Sequence, residues 1–386
     1  MDGAVKRAEY LRISAPSLGE EEIVELLDAI RSGWVTTGPK VQVLQRALAD
    51  YLGVEHVRCL SSCSAGLSLA LRTAGIGAGD EVLVPTMTFV ACANAVEHLG
   101  ARPVFVDCEP ESGLIDLAHA EALMSERTAA IMPVHLAGHP LDMDALNALR
   151  DRHGIAVIED AAHAIGAAWG GRRIGAHGNP ASFSFHASKN MTTFEGGALA
   201  LHDAATDERV GRLSLHGLSS SAWSRHDSTE PAGYEVVEPG YKLGMHDVAA
   251  AVGIHQLARL DGWIERRRAI AATYDERLAD LPLELPPPVP PGARHAHHLY
   301  MVRVRADAPL GRGALVAALH EARIGTSIHF TPIHTFEYYA RRSGLRPEDL
   351  PVALDRSRRV LSLPLHPSMT EHDVDDVAVA VGEALG

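Results

Sequence analysis

The segment SFSFHASKNMTTFEGGAL, Ser182 to Leu199, sets Lys189 among small polar residues just before a Gly-Gly pair. Only four of the 35 basic residues are lysines, at 6, 40, 189 and 242. Arginine keeps its proton at any usable pH, whereas a desolvated lysine can lose it. A neutral amine attacks carbonyls and forms Schiff bases, which makes Lys189 the first residue to weigh as a chemical group. Three other stretches carry chemistry. In CLSSCSAGLSLAL (Cys59–Leu71) a strand end feeds a turn of small residues and a helix start. Free N–H groups and a positive dipole end suit a phosphate there, although Ser62 or Ser64 could be an ordinary N-cap. In VIEDAAHAIGA (Val157–Ala167) Asp160 ends a buried strand, where a carboxylate needs a cation, strong hydrogen bonds or a protonated ring nitrogen. The alternative is an Asp capping a helix over AAHAIGA. Phe89, after VLVPTMT, could stack on a planar ligand or belong to the core. A phosphate anchor, a ring stacker, an acid for a pyridinium nitrogen and a Schiff-base lysine are together what pyridoxal 5′-phosphate requires. No Walker A, G-x-G-x-x-G or G-x-S-x-G motif competes.

The elements that must position these residues follow from the hydrophobic rhythm. From about residue 55 to 165, apolar runs such as EVLVPTMTF, RPVFVDC, AAIMPVHLAG and IAVIEDAAHA alternate with helical patterns. That alternation indicates βαβ units and a parallel sheet covered on both faces. After Gly166 the strands ASFSFHAS and GGALALHD have no helix between them, so a hairpin-like connection is expected. HGLSSSAWSRHDSTEPAGYE reads as a loop, and HDVAAAVGIHQLARLDGWIERRRAIAATYDERLADL as a long amphipathic helix. PLELPPPVPPGARH is a Pro-rich break. The expected fold is α/β: a large domain with a mostly parallel sheet flanked by helices, residues 1–255, and a smaller C-terminal α/β domain, residues 256–386, including the bridging helix.

Composition excludes several classes. The 386 residues are 46% apolar and 22% charged, with a formal net charge of −14. That is an ordinary globular composition, without the basic face of a nucleic-acid binder or of a protein that adheres to anionic membranes. The tight cluster IERRRAI reads as a solvated helix face. The four cysteines, at 59, 63, 92 and 108, form no C-x-x-C pair and no zinc spacing, and read as reduced thiols. The 22 histidines include RHAHHLYMV (Arg294–Val302), but no carboxylate or cysteine is near and His298, Tyr300 and Val302 share a strand face, so no metal site is expected. No signal peptide or membrane-length apolar stretch is read, so a cytoplasmic location is expected.

The ordered motifs IRSGWVTTGPKVQVLQRALADYLGV, VPTMTFVACANAVEHLGARPVFVDC, IEDAAHAIGA, SFSFHASKNMTTFEGGAL, GYKLGMHDVAAAVG, IGTSIHFTPIH and RVLSLPLHPSMT cover nearly the whole chain. They resemble the DegT/StrS group, fold-type I pyridoxal-phosphate aminotransferases acting on sugar nucleotides. FHASKN most resembles the branch that aminates 4-keto sugar nucleotides. The resemblance implies Lys189 as the Schiff-base lysine and Asp160 as partner of the pyridine nitrogen. It implies Cys63, Ser64 and Ala65 at the phosphate, with Ser184 helping, and Phe89 stacked on the ring. It places His163 beside the phenolic oxygen, where the family often has Gln, and His329 near the substrate. Two departures stand out. The turn Cys63-Ser64 is often Gly-Thr, and GYKLGMHD lacks an Asn that commonly reaches the phosphate of the partner subunit; Lys242 is the replacement favoured here.

The implied activity is transfer of an amino group from L-glutamate, or glutamine, to a keto sugar nucleotide, at C4, in a homodimer with shared active sites. Related dehydratases carry His in place of the lysine, and Lys189 argues against them. A keto-cyclitol aminotransferase is an alternative. A non-catalytic sensor on this scaffold would be free to lose Lys189 or Asp160, and both are present.

Overall fold

The computed structural model describes residues 6–219 and 234–386, so most of the Ser-rich stretch read as a loop lies outside the described residues. The first two helices, α1 (Glu20–Arg31) and α2 (Pro39–Leu52), precede β1 (His56–Leu60). The βαβ rhythm then gives α3 (Cys63–Thr73), β2 (Glu81–Pro85), α4 (Ala91–Glu97), β3 (Arg102–Val106), α5 (Leu117–Ala122), β4 (Thr128–Ile131), α6 (Met143–His153), β5 (Ala156–Val157) and β6 (Glu159–Asp160). A short hairpin, β7 (Ala168–Trp169) and β8 (Arg172–Arg173), leads to β9 (Ala181–Ser184), β10 (Gly197–Leu201) and α7 (Ala204–Leu213). The long helix α8 spans Asp247–Leu278.

Only Ile158 separates β5 from β6, and the pair bridges two sets of strands into one sheet of order β3-β2-β4-β5/β6-β9-β10-β1. Neighbours β2–β3, β2–β4, β4–β5 and β6–β9 are parallel, while β10 runs antiparallel to both β9 and β1. The hairpin-like connection expected after Gly166 is thus present, with Gly197 opposite Ser184. Strands buried on both faces are covered by helices: Leu44, Leu146 and Leu260 of α2, α6 and α8 pack on one side. Leu67, Val96 and Leu213 of α3, α4 and α7 pack on the other. Asp247, at the start of α8, accepts hydrogen bonds from the N–H groups of Gly38, Lys40 and Val41, which satisfies the open end of α2 and ties the two helices together.

A second core forms around the antiparallel sheet β11 (Leu283–Glu284), β12 (Tyr300–Val304) and β13 (Val360–Leu363), in the order β11-β12-β13. Helices α9 (Arg312–Glu321), α10 (Glu337–Ser343), α11 (Pro351–Arg359) and α12 (Glu371–Leu385) complete this half. Ile264 of α8 belongs to the first core and Ile270 to the second, so the helix passes from one core to the other within two turns. Residues before α1 run along the second core, with Leu11 buried in it and Arg7 paired to Asp373 and Asp376.

Two local expectations are corrected. No helix forms over AAHAIGA; residues 161–167 are turns, and Ala164, Ile165 and Ala167 are all buried. A segment buried on every side has no polar face to give a surface helix. IERRRAI is not wholly solvated either: Arg267 is buried and donates to the carbonyls of Leu365, His297 and His298.

Candidate active site

The carboxyl ends of β2, β4, β6 and β9 open into a cavity of about 500 Å³, closed on its far side by residues of the smaller half. Such a position is where open α/β sheets bind ligands. Ser62, Cys63 and Ser64 reach it from the start of α3, Thr88 and Phe89 from the end of β2, and Asp160 and His163 from the end of β6. Ser184 and Lys189 come from the connection between β9 and β10, and His298, His329 and Phe330 from the smaller half.

Lys189 is half-buried and lines this cavity. Desolvation pulls its pKa down, and the nearby Asp160 and Cys63 pull the other way with less effect. The amine therefore loses its proton more readily than a free lysine. Asp160 is 5% exposed, with Oδ1 accepting the Ala162 N–H at 2.9 Å and Oδ2 accepting the Cys92 thiol at 2.9 Å. With no helix after it, Asp160 is not a helix cap.

At the entry to α3, Ser62 is the N-cap, its Oγ accepting from the Ala65 N–H at 3.1 Å. That bond corrects one expectation: the Ala65 N–H is already spent, and Ala65 is buried away from the cavity. Among the described residues the N–H groups of Cys63 and Ser64 have no hydrogen-bond acceptor, and they stand at a helix N-terminus, a place that suits an anion. The approach depends on two glycines. A Cβ on Gly66 would lie 2.2 Å from Ser182 Oγ, and one on Gly197 would lie 2.5 Å from Cys63 N. Ser184 ends β9 beside this turn and lines the cavity.

His163 is buried, and its Nδ1 accepts the Ala137 N–H at 3.2 Å. An accepting Nδ1 leaves the ring proton on Nε2, so His163 is a neutral donor. Burial holds its pKa well below that of a free histidine, and Lys189 and His329 add to this. Burial and then Lys189 depress His329 to about 4, and its Nδ1 meets Ser362 Oγ at 2.8 Å. Neither His163 nor His329 thus adds positive charge beside Lys189 at neutral pH. Phe89 is 60% exposed, which removes it from the core. Its ring lies 6.3 Å from that of Phe330, which in turn lies 6.1 Å from His163 and nearly parallel to it.

Two of these residues are new relative to the sequence reading. His298 precedes β12 instead of lying in it, has its ring centroid 4.3 Å from that of His163 with the planes tilted by 40°, and donates from Nδ1 to Asn190 Oδ1 at 3.2 Å. Phe330 closes the aromatic side of the cavity. The spacing His329-Phe330 beside IGTSIHFTPIH is the only sequence signal for the latter. Lys242 stands apart: it is exposed, its backbone bridges to Leu215, and it does not line this cavity of its own chain.

The chain matches the family model for the DegT/DnrJ/EryC1/StrS aminotransferase family over residues 16–382. It is 44% identical, over 98% of each chain, to the spore coat polysaccharide biosynthesis protein SpsC of Bacillus subtilis (strain 168). Its structure is similar to the PLP form of a putative sugar aminotransferase, Spr1654, from Streptococcus pneumoniae, with 31% identity, a TM-score of 0.90, and 98% and 100% of the two chains covered. It is also similar to DesV of S. venezuelae, with 37% identity, a TM-score of 0.86 and 94% of each chain covered. These agree with the fold-type I architecture and with the cofactor that the residues require. The ordered motifs, the sheet order and the cavity at its strand ends therefore have one explanation: the chain belongs to the DegT/DnrJ/EryC1/StrS aminotransferase family.

Proposed function

We propose that this chain moves an amino group from L-glutamate, or glutamine, onto C4 of a keto sugar nucleotide, with pyridoxal 5′-phosphate held in the cavity. The observation that carries the reading is the meeting of Lys189, Asp160 and the N–H groups of Cys63 and Ser64, unpartnered among the described residues, in one cavity. The donor set fits the cofactor. The start of α3 offers positive charge to a phosphate, with Ser184 beside it. Asp160 offers a carboxylate to a ring N–H, Phe89 covers a ring face, and His163 donates from Nε2 toward a phenolic oxygen. When bound, the cofactor supplies a carbonyl that captures amines and a ring that accepts the electron pair released at the adjacent carbon.

The chain's own residues supply the rest. Lys189 would hold the cofactor through Nζ, and its neutral amine, when free, would take up and return a proton at that same atom. The depressed pKa of its amine suits both duties. Asp160 holds a proton at the ring nitrogen.

Among the described residues no arginine lines the cavity, so anionic groups of the two substrates find only Lys189 as a cation within one chain. This favours a site completed by a second copy, with Lys242 of that copy at the phosphate. The exposed apolar residues Ile23, Val24, Leu27 and Ile30 on one face of α1 support self-association. The sugar substrate rests on the likeness of FHASKN and on the polysaccharide relative. The reading places the enzyme in the cytoplasm, where its four free, buried thiols stay reduced. No helix among the described residues is long and apolar enough to cross a membrane.

The test is a product screen. Purified protein with pyridoxal phosphate is given L-glutamate or L-glutamine and a panel of 4-keto and 3-keto sugar nucleotides and keto-cyclitols, and product masses are measured. Turnover is expected with a nucleotide-linked 4-keto sugar. Turnover of a keto-cyclitol alone would replace that substrate.

A further inference from the structure

The sequence reading treated Cys92 as one of four bland thiols, and the chemistry above makes no use of it. Its position is specific. Cys92 is the second residue of α4, wholly buried, with its Sγ 2.9 Å from Asp160 Oδ2. The other carboxylate oxygen is taken by the Ala162 N–H at 2.9 Å. Cys63 approaches from the other side, but its sulfur lies 3.3 Å from the Ser182 carbonyl and 3.8 Å from Oδ1, so its single proton goes to Ser182. Among the described residues Asp160 therefore has two close donors, one on each oxygen, and of the two only Cys92 donates from a side chain.

We infer that Cys92 is a positioning residue, whose thiol fixes Oδ2 of Asp160 and keeps that carboxylate from drawing the proton off the ring nitrogen of bound pyridoxal phosphate. The inference rests on the cofactor reading above. Hydrogen bonds to a carboxylate favour its charged form, and a charged carboxylate beside a pyridine nitrogen leaves the proton on the ring. A bare buried carboxylate would instead seek a proton of its own. The thiol is suited to a permanent donor's role. Burial, and then the charge of Asp160, push the pKa of Cys92 well above that of a free thiol, so it keeps its proton at every working pH. With Ala162 N–H on one oxygen and the thiol on the other, the rotation of the carboxylate is fixed.

The experiment reconstitutes the protein with pyridoxal phosphate labelled with ¹⁵N in the ring and records the ring-nitrogen resonance by NMR, alongside the cofactor dissociation constant. Wild type and Cys92→Ser are expected to show a protonated ring. Cys92→Ala and Cys92→Val are expected to move the resonance toward the neutral pyridine position and to weaken binding by about 2–10-fold, the range for one lost hydrogen bond. Valine keeps roughly the volume of cysteine, so it separates the donor from the packing, and melts of the cofactor-free variants check folding. Either non-donor variant suffices if the other fails to fold. Wild-type resonance and affinity in a folded Ala or Val variant would overturn the inference, as would a Ser variant that behaves like Ala. Wild type that binds the cofactor with an unprotonated ring would overturn it too, and would leave the cofactor reading standing. Wild type that binds no pyridoxal phosphate would overturn the cofactor reading itself, and this inference with it.

Discussion

Lys189 is an amine held where water is scarce, and its chemistry follows from that. Desolvation lowers its pKa, so as pH rises its neutral, nucleophilic form accumulates below the 10.5 of a free lysine. The rate at which cofactor-free protein captures pyridoxal phosphate, followed by visible absorbance, should rise with pH and level off at a midpoint below that value. A midpoint at or above it would mean that solvent reaches the amine freely. Lys189→Arg should abolish capture at every pH, because a guanidinium does not lose its proton. Lys189 and Asp160 were legible in the sequence because the chemistry restricts the residue type and the strand ends restrict the place. Cys92, His298 and Phe330 were not. Each acts by what it touches, at 2.9 Å from Asp160, 4.3 Å from His163 and 6.1 Å from His163 respectively, and sequence spacing carries no such contact.

At the scale of elements, the Gly-Gly pair that follows Lys189 has a mechanical reason. Gly197 opens β10 directly against the entry to α3, where an added Cβ would lie 2.5 Å from both Cys63 N and the Ser62 carbonyl carbon. These are backbone atoms at the very turn whose N–H groups face the cavity, so they cannot swing aside as a side chain can. Gly197→Ala should therefore cost about 1–3 kcal/mol in a denaturant melt of the cofactor-free protein, as overpacking does. It should weaken pyridoxal phosphate binding as well, because the turn must shift. Full stability with full affinity would show that β10 and α3 have slack between them. The alternation of apolar runs and helices was readable from Glu81 to Asp160 because each strand there is buried on both faces. The sequence left a helix over residues 161–167 open as the alternative for Asp160, since small apolar residues suit either a turn or a helix until neighbours surround them. Arg267 was misread for a related reason: a charge run marks solvent only where no carbonyls wait, and here Leu365, His297 and His298 supply three.

For the whole molecule the open question is where the missing cations come from. The cavity of one chain offers Lys189 and no arginine among the described residues, although both proposed substrates and the cofactor are anionic. Lys242 is exposed and lies outside that cavity, and one face of α1 presents Ile23, Val24, Leu27 and Ile30 to solvent. The proposed reading is a symmetric dimer in which Lys242 of each chain reaches the other's site. Complementation tests this. Lys189→Ala chains lack the nucleophile, and Lys242→Ala chains should bind cofactor poorly, so each parent must first prove weak alone. In a mixed dimer, two-fold symmetry places both lesions in one site and neither in the other. With equal amounts and random exchange about half the dimers are mixed, so about a quarter of all sites should regain full activity. Exchange is verified separately with tagged chains. If exchange occurs and the activity of the mixture stays at the average of the two parents, Lys242 serves its own chain or none, and the cation that meets the phosphate lies elsewhere.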